Sequence, residues 1–183
     1  MRPLLLVCLC ALLSPMSVSA RLASIPIDDL IERSSVIVLA RVSSLSEETV
    51  PADPSRSGKV VFADAVAQKT LKGAIPKNFR FLAQTDFICS ETGAVKDELA
   101  LFFLYRDEKG MFGIMAAGNG RMPVGVVDGK RYVTATSLII FPRDVATIPA
   151  LEPGYRKSSI ELAYIEKLIL DPAKSRVAQG AIG

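Results

Sequence analysis

The sequence predicts a mainly β protein with a helix near each end of the mature chain, built as a small antiparallel barrel or sandwich. Five to seven short segments have the β-branched, aromatic and alternating composition of strands. Turns rich in glycine, proline, aspartate and serine separate these segments. Two segments, one at each end, have apolar residues at helical spacing. This order of elements is typical of a single-domain α+β or β-barrel protein.

The first 20 residues predict a cleaved signal peptide. One positive charge at Arg2 precedes an apolar run over 4–13, and Val18-Ser19-Ala20 ends the segment. This run is shorter than the roughly 20 residues that span a bilayer. We therefore expect cleavage after Ala20, no stable membrane insertion, and a secreted or periplasmic location.

Removal of the leader takes 20 of the 183 residues and leaves 163, enough for one domain with its own core. We expect that domain at 21–172 and a flexible tail at 173–183.

The formal charge is +3, or +2 without Arg2, so the charge does not favour binding to nucleic acid. Of three cysteines only Cys89 follows the leader, so the processed chain has no intramolecular disulfide, as is common in a bacterial periplasm or at a cell surface.

The first half of the mature chain predicts one helix and three strands. Residues 24–31 fit either the start of a short helix or an extended lead-in segment. Residues 36–45 predict a strand, and the following polar segment, 46–59, predicts a loop because it lacks apolar periodicity. Further strands are predicted at 60–71, which has small residues on one face suited to close packing, and at 79–84.

The most apolar stretch of the mature chain, 98–118, predicts a buried hairpin. Residues 99–105 are apolar throughout, 106–110 is a charged run that ends in glycine, and a second apolar run follows. Propensity alone also allows a helix over 98–106. The length of the run and the close charged turn favour a strand, and apolar residues on both faces indicate burial on both sides.

The C-terminal third predicts a second hairpin and a helix. Asp128 and Gly129 tolerate the positive φ values of a type I′ turn, which would join two strands, the second of them at 130–140. After an irregular connector, Ser158 and Glu161 fit a capping box that opens an amphipathic helix over 158–170.

The order of features between residues 30 and 126 resembles a known family. The segments that carry the resemblance are, in order, LIERSSVIVLARV, VVFADAVAQKTLKG, FRFLAQ, a loop with a cysteine, and ELALFFLY. Together they resemble small secreted bacterial proteins with a netrin-like or TIMP-like barrel, in which a strand ending in Leu-Lys-Gly, here Leu71-Lys72-Gly73, precedes the third strand. The resemblance implies an OB-like barrel of five to seven antiparallel strands with flanking helices.

The resemblance implies less about mechanism. TIMPs inhibit metalloproteases by placing an N-terminal cysteine, with its free α-amino group, on the protease zinc, and that cysteine is bridged to one in the loop before the fourth strand. Cys89 lies at a similar place, but the predicted mature N-terminus is Arg21. The resemblance therefore carries over the fold and not the inhibitory group.

The composition excludes the common catalytic arrangements. The chain has no histidine, which rules out Ser-His-Asp and Cys-His activation and zinc sites built on imidazole. Nucleophile-elbow, Ser-x-x-Lys and phosphate-loop motifs are missing too, and acidic loop residues such as Asp86, Glu91 and Asp97 lack calcium-loop spacing. We expect no enzymatic activity, no cofactor and no metal.

These observations predict a non-catalytic exported binding module that presents loops to a protein partner. The loops predicted to form the contact surface are 46–58, 85–97 and 142–157. The alternative is a protease inhibitor of TIMP-like descent that lacks the N-terminal cysteine. Three residues of the middle loop are candidates for partner contact or reactivity: Phe87, Cys89 and Glu91.

The lone mature cysteine, Cys89, has two interpretations. An unpaired cysteine in an exported protein can be a reactive thiol or can form an intermolecular bridge. Beside Phe87 and Ile88 it can equally be a buried small hydrophobic residue, inert because burial raises the pKa of its thiol.

Overall fold

The computed structural model describes residues 24–53, 56–85, 93–151 and 157–171, which contain eleven strands and two helices. The predicted signal peptide at 1–20 and the predicted tail at 173–183 lie outside these ranges. The elements are β1 (Ile25–Pro26), α1 (Ile27–Arg33), β2 (Val36–Asp53), β3 (Arg56–Lys72), β4 (Asn78–Gln84), β5 (Leu99–Arg106), β6 (Phe112–Ile114), a 3-10 turn (Ala116–Gly118), β7 (Arg121–Val127), β8 (Lys130–Thr136), β9 (Ile139–Ile140), β10 (Thr147–Pro149), β11 (Lys157–Glu161) and α2 (Leu162–Leu170).

Five of these strands close a barrel. Their order is β5–β2–β3–β4–β6, and β6 pairs again with β5. Every barrel pair is antiparallel except β4–β6, in which Phe81 pairs in parallel with Phe112. A mainly β chain with a barrel and two flanking helices is confirmed. The wholly antiparallel barrel is not, because a closed ring with an odd number of strands cannot alternate direction all the way round.

The sheet continues outside the barrel as β7–β8–β11–β10. Strand β5 pairs with β7 through residues 100–102 and with β6 through residues 104–106. Between them, the Phe103 N–H donates to the Gly120 carbonyl at 2.9 Å and the Phe103 carbonyl accepts from the Met115 N–H at 2.9 Å. The chain between β6 and β7 therefore supplies the hydrogen bonds of Phe103, the residue of β5 that lies between the part paired with β7 and the part paired with β6.

Both faces of β5 are buried, as predicted, and each face belongs to a different core. Phe102 is fully buried inside the barrel, whereas Phe103 is fully buried on the outer face, beneath the two helices. Burying a side chain of this size stabilises the fold by about 1.5–3 kcal/mol. The inner core consists of Val36, Val38, Ala40, Val42, Ala63, Ala65, Phe79, Phe81, Ala83, Ala100, Phe102, Leu104, Phe112 and Ile114.

The small residues of β3 face the barrel interior. Ala63 and Ala65 are buried there and leave room for the rings of Phe81 and Phe102, whose centroids are 5.0 Å apart. The predicted close packing of this strand face is therefore with phenylalanine rings from β4 and β5. Alternation of small and large side chains fills a narrow barrel without cavities.

The N-terminal segment combines the two predicted alternatives. Ile25–Pro26 is extended and pairs in parallel with Ile139–Ile140, and the helix begins at Ile27. Pro26 has φ −56° and ψ 140°, so it ends the extended segment and precedes the first helical turn. Ile27 and Leu30 are buried, as the i, i+3 spacing predicts.

The predicted loop at 46–59 is wrong. Strand β2 continues to Asp53 and β3 begins at Arg56, so most of this segment is a long hairpin. Its charged side chains pair: the Lys59 ammonium lies 2.7 Å from the Glu47 carboxylate, and Arg80 of β4 binds Glu48. The segment lacks apolar alternation because its side chains form such polar pairs at the surface.

The C-terminal helix ends at Leu170 as predicted but begins at Leu162 rather than at 158. Residues Lys157–Glu161 form β11, which pairs with β8 and β10. The Ser159 hydroxyl is buried and shares a hydrogen bond of 2.9 Å with Thr134 of β8. Ser158 and Glu161, the residues of the predicted capping box, are instead paired with Ala135 and Tyr132 of β8.

The hairpin at Asp128-Gly129 is confirmed. Asp128 has φ 48° and Gly129 has φ 76°, the positive values that a type I′ turn requires. The strand predicted at 130–140 is interrupted, because β8 ends at Thr136 and the chain continues as the separate strand β9.

The Leu71-Lys72-Gly73 motif joins α1 to the barrel. Leu71 packs in the outer core, and the Lys72 ammonium donates to the carbonyls of Ile31 at 2.6 Å and Glu32 at 2.8 Å, in the last turn of α1. Gly73 has φ 73°, and a Cβ there would lie 2.2 Å from the Ser35 carbonyl oxygen. The motif is explained by structural contacts.

We expect Gly73→Ala to destabilise the protein more than Gly110→Ala does. Both glycines have left-handed φ, but a Cβ at Gly110 would meet nothing within 4 Å. Gly110→Ala should cost about 1–2 kcal/mol of unfolding free energy in urea, the ordinary cost of this conformation. Gly73→Ala should cost at least about 2 kcal/mol more, because its methyl group collides with backbone. Equal costs would contradict the close contact with Ser35.

Tyr164 of α2 has a raised phenol pKa. Burial against the outer core raises it first, and the negative charges of Asp144 and Asp28 raise it further. The folded protein therefore holds the phenol proton at a pH where the unfolded chain, with a tyrosine pKa of about 10, releases it. The free energy of unfolding then falls as pH rises from about 10 to the folded pKa.

Replacement of Tyr164 by phenylalanine should remove this part of the alkaline destabilisation. The chain has four tyrosines, so the difference between the phenolate absorbance titrations of the wild type and Tyr164→Phe isolates one group. We expect that difference to have its midpoint above about pH 10. A midpoint at or below that pH would contradict the assigned environment.

Candidate functional site

The candidate site is the base of the loop between β4 and β5. The structure describes both ends of the segment, at Gln84 and at Gly93. A Cβ at Gly93 would lie 3.0 Å from Oε1 of Gln84 and 3.5 Å from its Cβ, so the two ends are in contact. The chain therefore leaves the barrel and returns to it at one point. The three predicted contact residues lie within the segment, outside the described residues: Phe87, Cys89 and Glu91.

The returning chain is fixed to β2 by backbone hydrogen bonds. The Asp97 N–H donates to the Val42 carbonyl at 3.0 Å, and the Val42 N–H donates to the Glu98 carbonyl at 3.0 Å. The Arg41 guanidinium donates to the Asp97 carbonyl at 2.7 Å. Asp97 has φ 65°, a left-handed conformation that costs a non-glycine residue roughly 1–2 kcal/mol. The turn is therefore held by its bonds to β2 and not by local preference.

A buried ion pair connects the same turn to β7. Nε of Arg121 donates to both carboxylate oxygens of Glu98 at 2.9 Å, and Nη2 donates to Oε2 at 2.6 Å. The side chains are 6% and 9% exposed. Oε1 of Glu98 also accepts from the Val95 N–H at 2.6 Å. One carboxylate thus binds the loop backbone and the strand beyond it.

The position of Arg121 explains its burial. Arg121 is paired with Phe102, so its side chain starts on the sheet face that continues the inner core. A charge at such a place is tolerated only with a partner, and removing one partner of a buried pair costs about 3–5 kcal/mol. The loop base is therefore a rigid unit whose polar groups are engaged in structure. It can hold the two ends of the 85–97 segment in place.

The acidic side chains of the described residues do not gather into a metal site. Within residues 24–53, 56–85, 93–151 and 157–171 there is no group of three His, Cys, Asp or Glu side chains that could hold a metal ion. Glu47 and Glu48 pair with Lys59 and Arg80 of neighbouring strands. In the same ranges, no helix has the length and apolar character needed to cross a bilayer.

Sequence reasoning missed the ion pair. Glu98 was interpreted only as the start of the apolar hairpin, and Arg121 was not singled out. A weak signal existed in the pattern, since each charge directly precedes an apolar strand, Leu99 in one case and Met122 in the other. Such charges at the ends of buried strands need a partner nearby.

Two comparisons with known proteins gave no match. No protein-family model matches the chain, and a search of curated proteins found no match to it. The case for the site therefore depends on the geometry of the loop base.

Breaking the ion pair should destabilise the protein strongly. We expect Glu98→Gln to lower the free energy of unfolding in urea by about 3–5 kcal/mol, because it leaves the Arg121 charge buried without its counter-charge. The double variant Glu98→Leu/Arg121→Met should recover most of that loss, since it removes both charges and keeps the volume.

The matched control is the exposed pair Lys59–Glu47, whose side chains are 72% and 56% exposed. Lys59→Gln should cost about 1 kcal/mol or less. The burial argument fails if Glu98→Gln is as mild as Lys59→Gln, or if the double variant loses as much as the two single variants together.

Proposed function

We propose that this chain is a non-catalytic exported binding module that presents the 85–97 loop to a protein partner. The observation that carries the proposal is the fixed loop base, in which the Glu98–Arg121 pair and the Asp97–Val42 hydrogen bond hold the returning chain. Loops positioned by a rigid scaffold are the usual place of recognition in β proteins. The proposed contact residues are Phe87, Cys89 and Glu91.

We also infer an OB-type barrel. The spatial order β5–β2–β3–β4 places the fourth barrel strand beside the first, which is the Greek-key order, and β6 closes the ring as a fifth strand. A five-stranded Greek-key barrel is the description of the OB fold. This supports the resemblance to netrin-like and TIMP-like barrels of small secreted proteins. The fold alone does not identify a ligand.

The 85–97 loop is better supported than the other two predicted contact loops. Most of 46–58 is strand, and the segment 142–157 contains the edge strand β10 and the start of β11. The cysteine interpretations also concern the 85–97 loop. A reactive thiol at Cys89 would add a covalent contact to the same surface.

Export and the lack of catalysis are proposed on sequence grounds. The leader-like segment at 1–20 supports a secreted or periplasmic location, with cleavage after Ala20. The lack of histidine in the whole sequence supports a non-enzymatic role, because the commonest general base and nucleophile activator is missing.

The protease-inhibitor alternative has weaker support. A TIMP-like mechanism needs a mature N-terminus that is free near the cysteine loop. Here the Ile25 N–H donates to the Leu138 carbonyl at 2.7 Å, which fixes the chain to β9. The helix that follows ends beside Leu104, in the second half of β5, whereas the loop base lies at the beginning of that strand. Nothing in the described ranges favours the alternative.

Partner capture with loop variants tests the proposal. The purified chain, immobilised and exposed to periplasmic extract of its host at low salt, should enrich a protein that mass spectrometry identifies. The triple variant Phe87→Ala/Cys89→Ala/Glu91→Ala should lose at least about nine-tenths of that protein, since interface energy is concentrated in few residues.

A control variant replaces residues of a different exposed turn, Glu108→Ala/Lys109→Ala between β5 and β6, and should retain capture. Circular dichroism of both variants checks that they are folded. Equal capture by the wild type and the triple variant, or no enriched protein at all, would refute the proposed role of the loop.

A further inference from the structure

A cleft of about 370 Å³ lies between helix α2 and the strands β2, β3 and β8, and it is separate from the loop base. Its size is within the range of small-molecule sites. We propose that this cleft binds a small monoanionic organic carboxylate, with the carboxylate on Arg131 and the apolar part of the ligand on Leu39 and Leu162. The proposal does not depend on the function proposed for the 85–97 loop.

A β-bulge brings two consecutive polar side chains into the cleft. Leu39 pairs with Lys69, and the next residue of β2, Ala40, pairs with Ala67, so Gln68 is an extra residue in β3. In a regular strand Gln68 and Lys69 would point to opposite faces. Both line the cleft, because the bulge interrupts the alternation. Bulges that redirect a side chain in this way are over-represented beside functional sites.

The bottom of the cleft is apolar. Leu39 and Leu162 line it and belong to the outer core, where they are 3% and 4% exposed. Ala163, the residue after Leu162 in α2, contributes only a methyl group to the wall. A ligand with a hydrocarbon part therefore finds a surface that continues the outer core, and the small Ala163 side chain leaves space for it.

The charges around the cleft leave one cation available. The Lys69 ammonium lies 2.7 Å from the Glu166 carboxylate, so these two groups neutralise each other. Glu161 lies 3.7 Å from Lys130. Arg131 is exposed, and its guanidinium has no ion pair or hydrogen bond with the described part of the chain. Its guanidinium can bind a carboxylate through two parallel N–H···O bonds.

The same charges favour a monoanion over a phosphate. Because Glu166 is paired with Lys69 and Glu161 with Lys130, the second negative charge of a dianion would find no unpaired cation among the residues that line the cleft. A single carboxylate compensates the one available cation. A positively charged ligand would be repelled by Lys69 and Arg131. Each of the two carboxylates that line the cleft already has a basic neighbour.

A set of four probes separates the charge from the hydrocarbon. We would titrate the purified chain with octanoate, octan-1-ol, octylammonium and acetate, and follow backbone amide chemical shifts by NMR. Octanoate should give saturable shifts at residues lining the cleft. Octan-1-ol and octylammonium should bind at least about ten-fold more weakly, because they lack the charge-assisted contact, and acetate should be weaker still, because it lacks the apolar part.

Two variants test the roles of Arg131 and of the space beside Ala163. The NMR spectrum of each variant first checks that it is folded. Arg131→Gln should weaken octanoate binding about ten-fold or more, whereas Arg143→Gln, an exposed arginine that does not line the cleft, should leave it unchanged. Ala163→Leu keeps every charge and fills the cleft, so it should abolish binding. The proposal is overturned if octanoate gives no saturable shifts, if octan-1-ol binds as tightly, or if Arg131→Gln and Arg143→Gln behave alike.

Discussion

Strand β5 packs into two hydrophobic cores and pairs with three neighbouring strands. Its alternate residues enter the barrel interior and the helix-covered outer core, so no position between Ala100 and Leu104 is open to water. The other elements are arranged around this requirement. Helices α1 and α2 cover the outer face, β2 pairs along one edge, and β6 and β7 share the other. A polar substitution at any of these positions would leave a buried group without a partner.

The change of partner along β5 has a local conformational cost. Between β6 and β7 the chain must reverse within a few residues while it bonds Phe103, and Ala116 and Ala117 adopt left-handed φ values of 56° and 50°. Such values are unfavourable for residues with a Cβ. Asn119 offsets the cost, since its amide donates to the Ala116 carbonyl at 2.7 Å and its oxygen accepts from the Thr136 hydroxyl at 2.9 Å. The strained turn is therefore fixed by bonds to the neighbouring strand β8.

A structural feature could be predicted from the sequence where its cause lies in neighbouring residues of the chain. The apolar run of β5 and the turn at Asp128-Gly129 follow from composition and from φ preferences, and both are confirmed. Only the outer part of the β2–β3 hairpin, 46–59, differs from the predicted loop, because its strands carry polar pairs where apolar alternation would mark them. The sequence indicates that Glu98 and Arg121 each need a partner but not that they bind each other, because residues 23 positions apart meet only once the register of β5 and β7 is fixed.

The packing of the barrel decides where binding can occur. Its interior is filled by phenylalanine rings, Phe81 on Phe102 at 5.0 Å and Phe79 on Phe112 at 6.4 Å, so a ligand cannot enter as it does in wider barrels. The two proposed binding places lie outside this interior, where strand regularity ends. One is the left-handed turn at Asp97, which gives the chain its return from the 85–97 loop, and the other is the bulge at Gln68, which opens a polar wall beside α2. In both places the same irregularity that interrupts a strand also exposes a surface, so the two proposed sites lie outside the barrel and not in its interior.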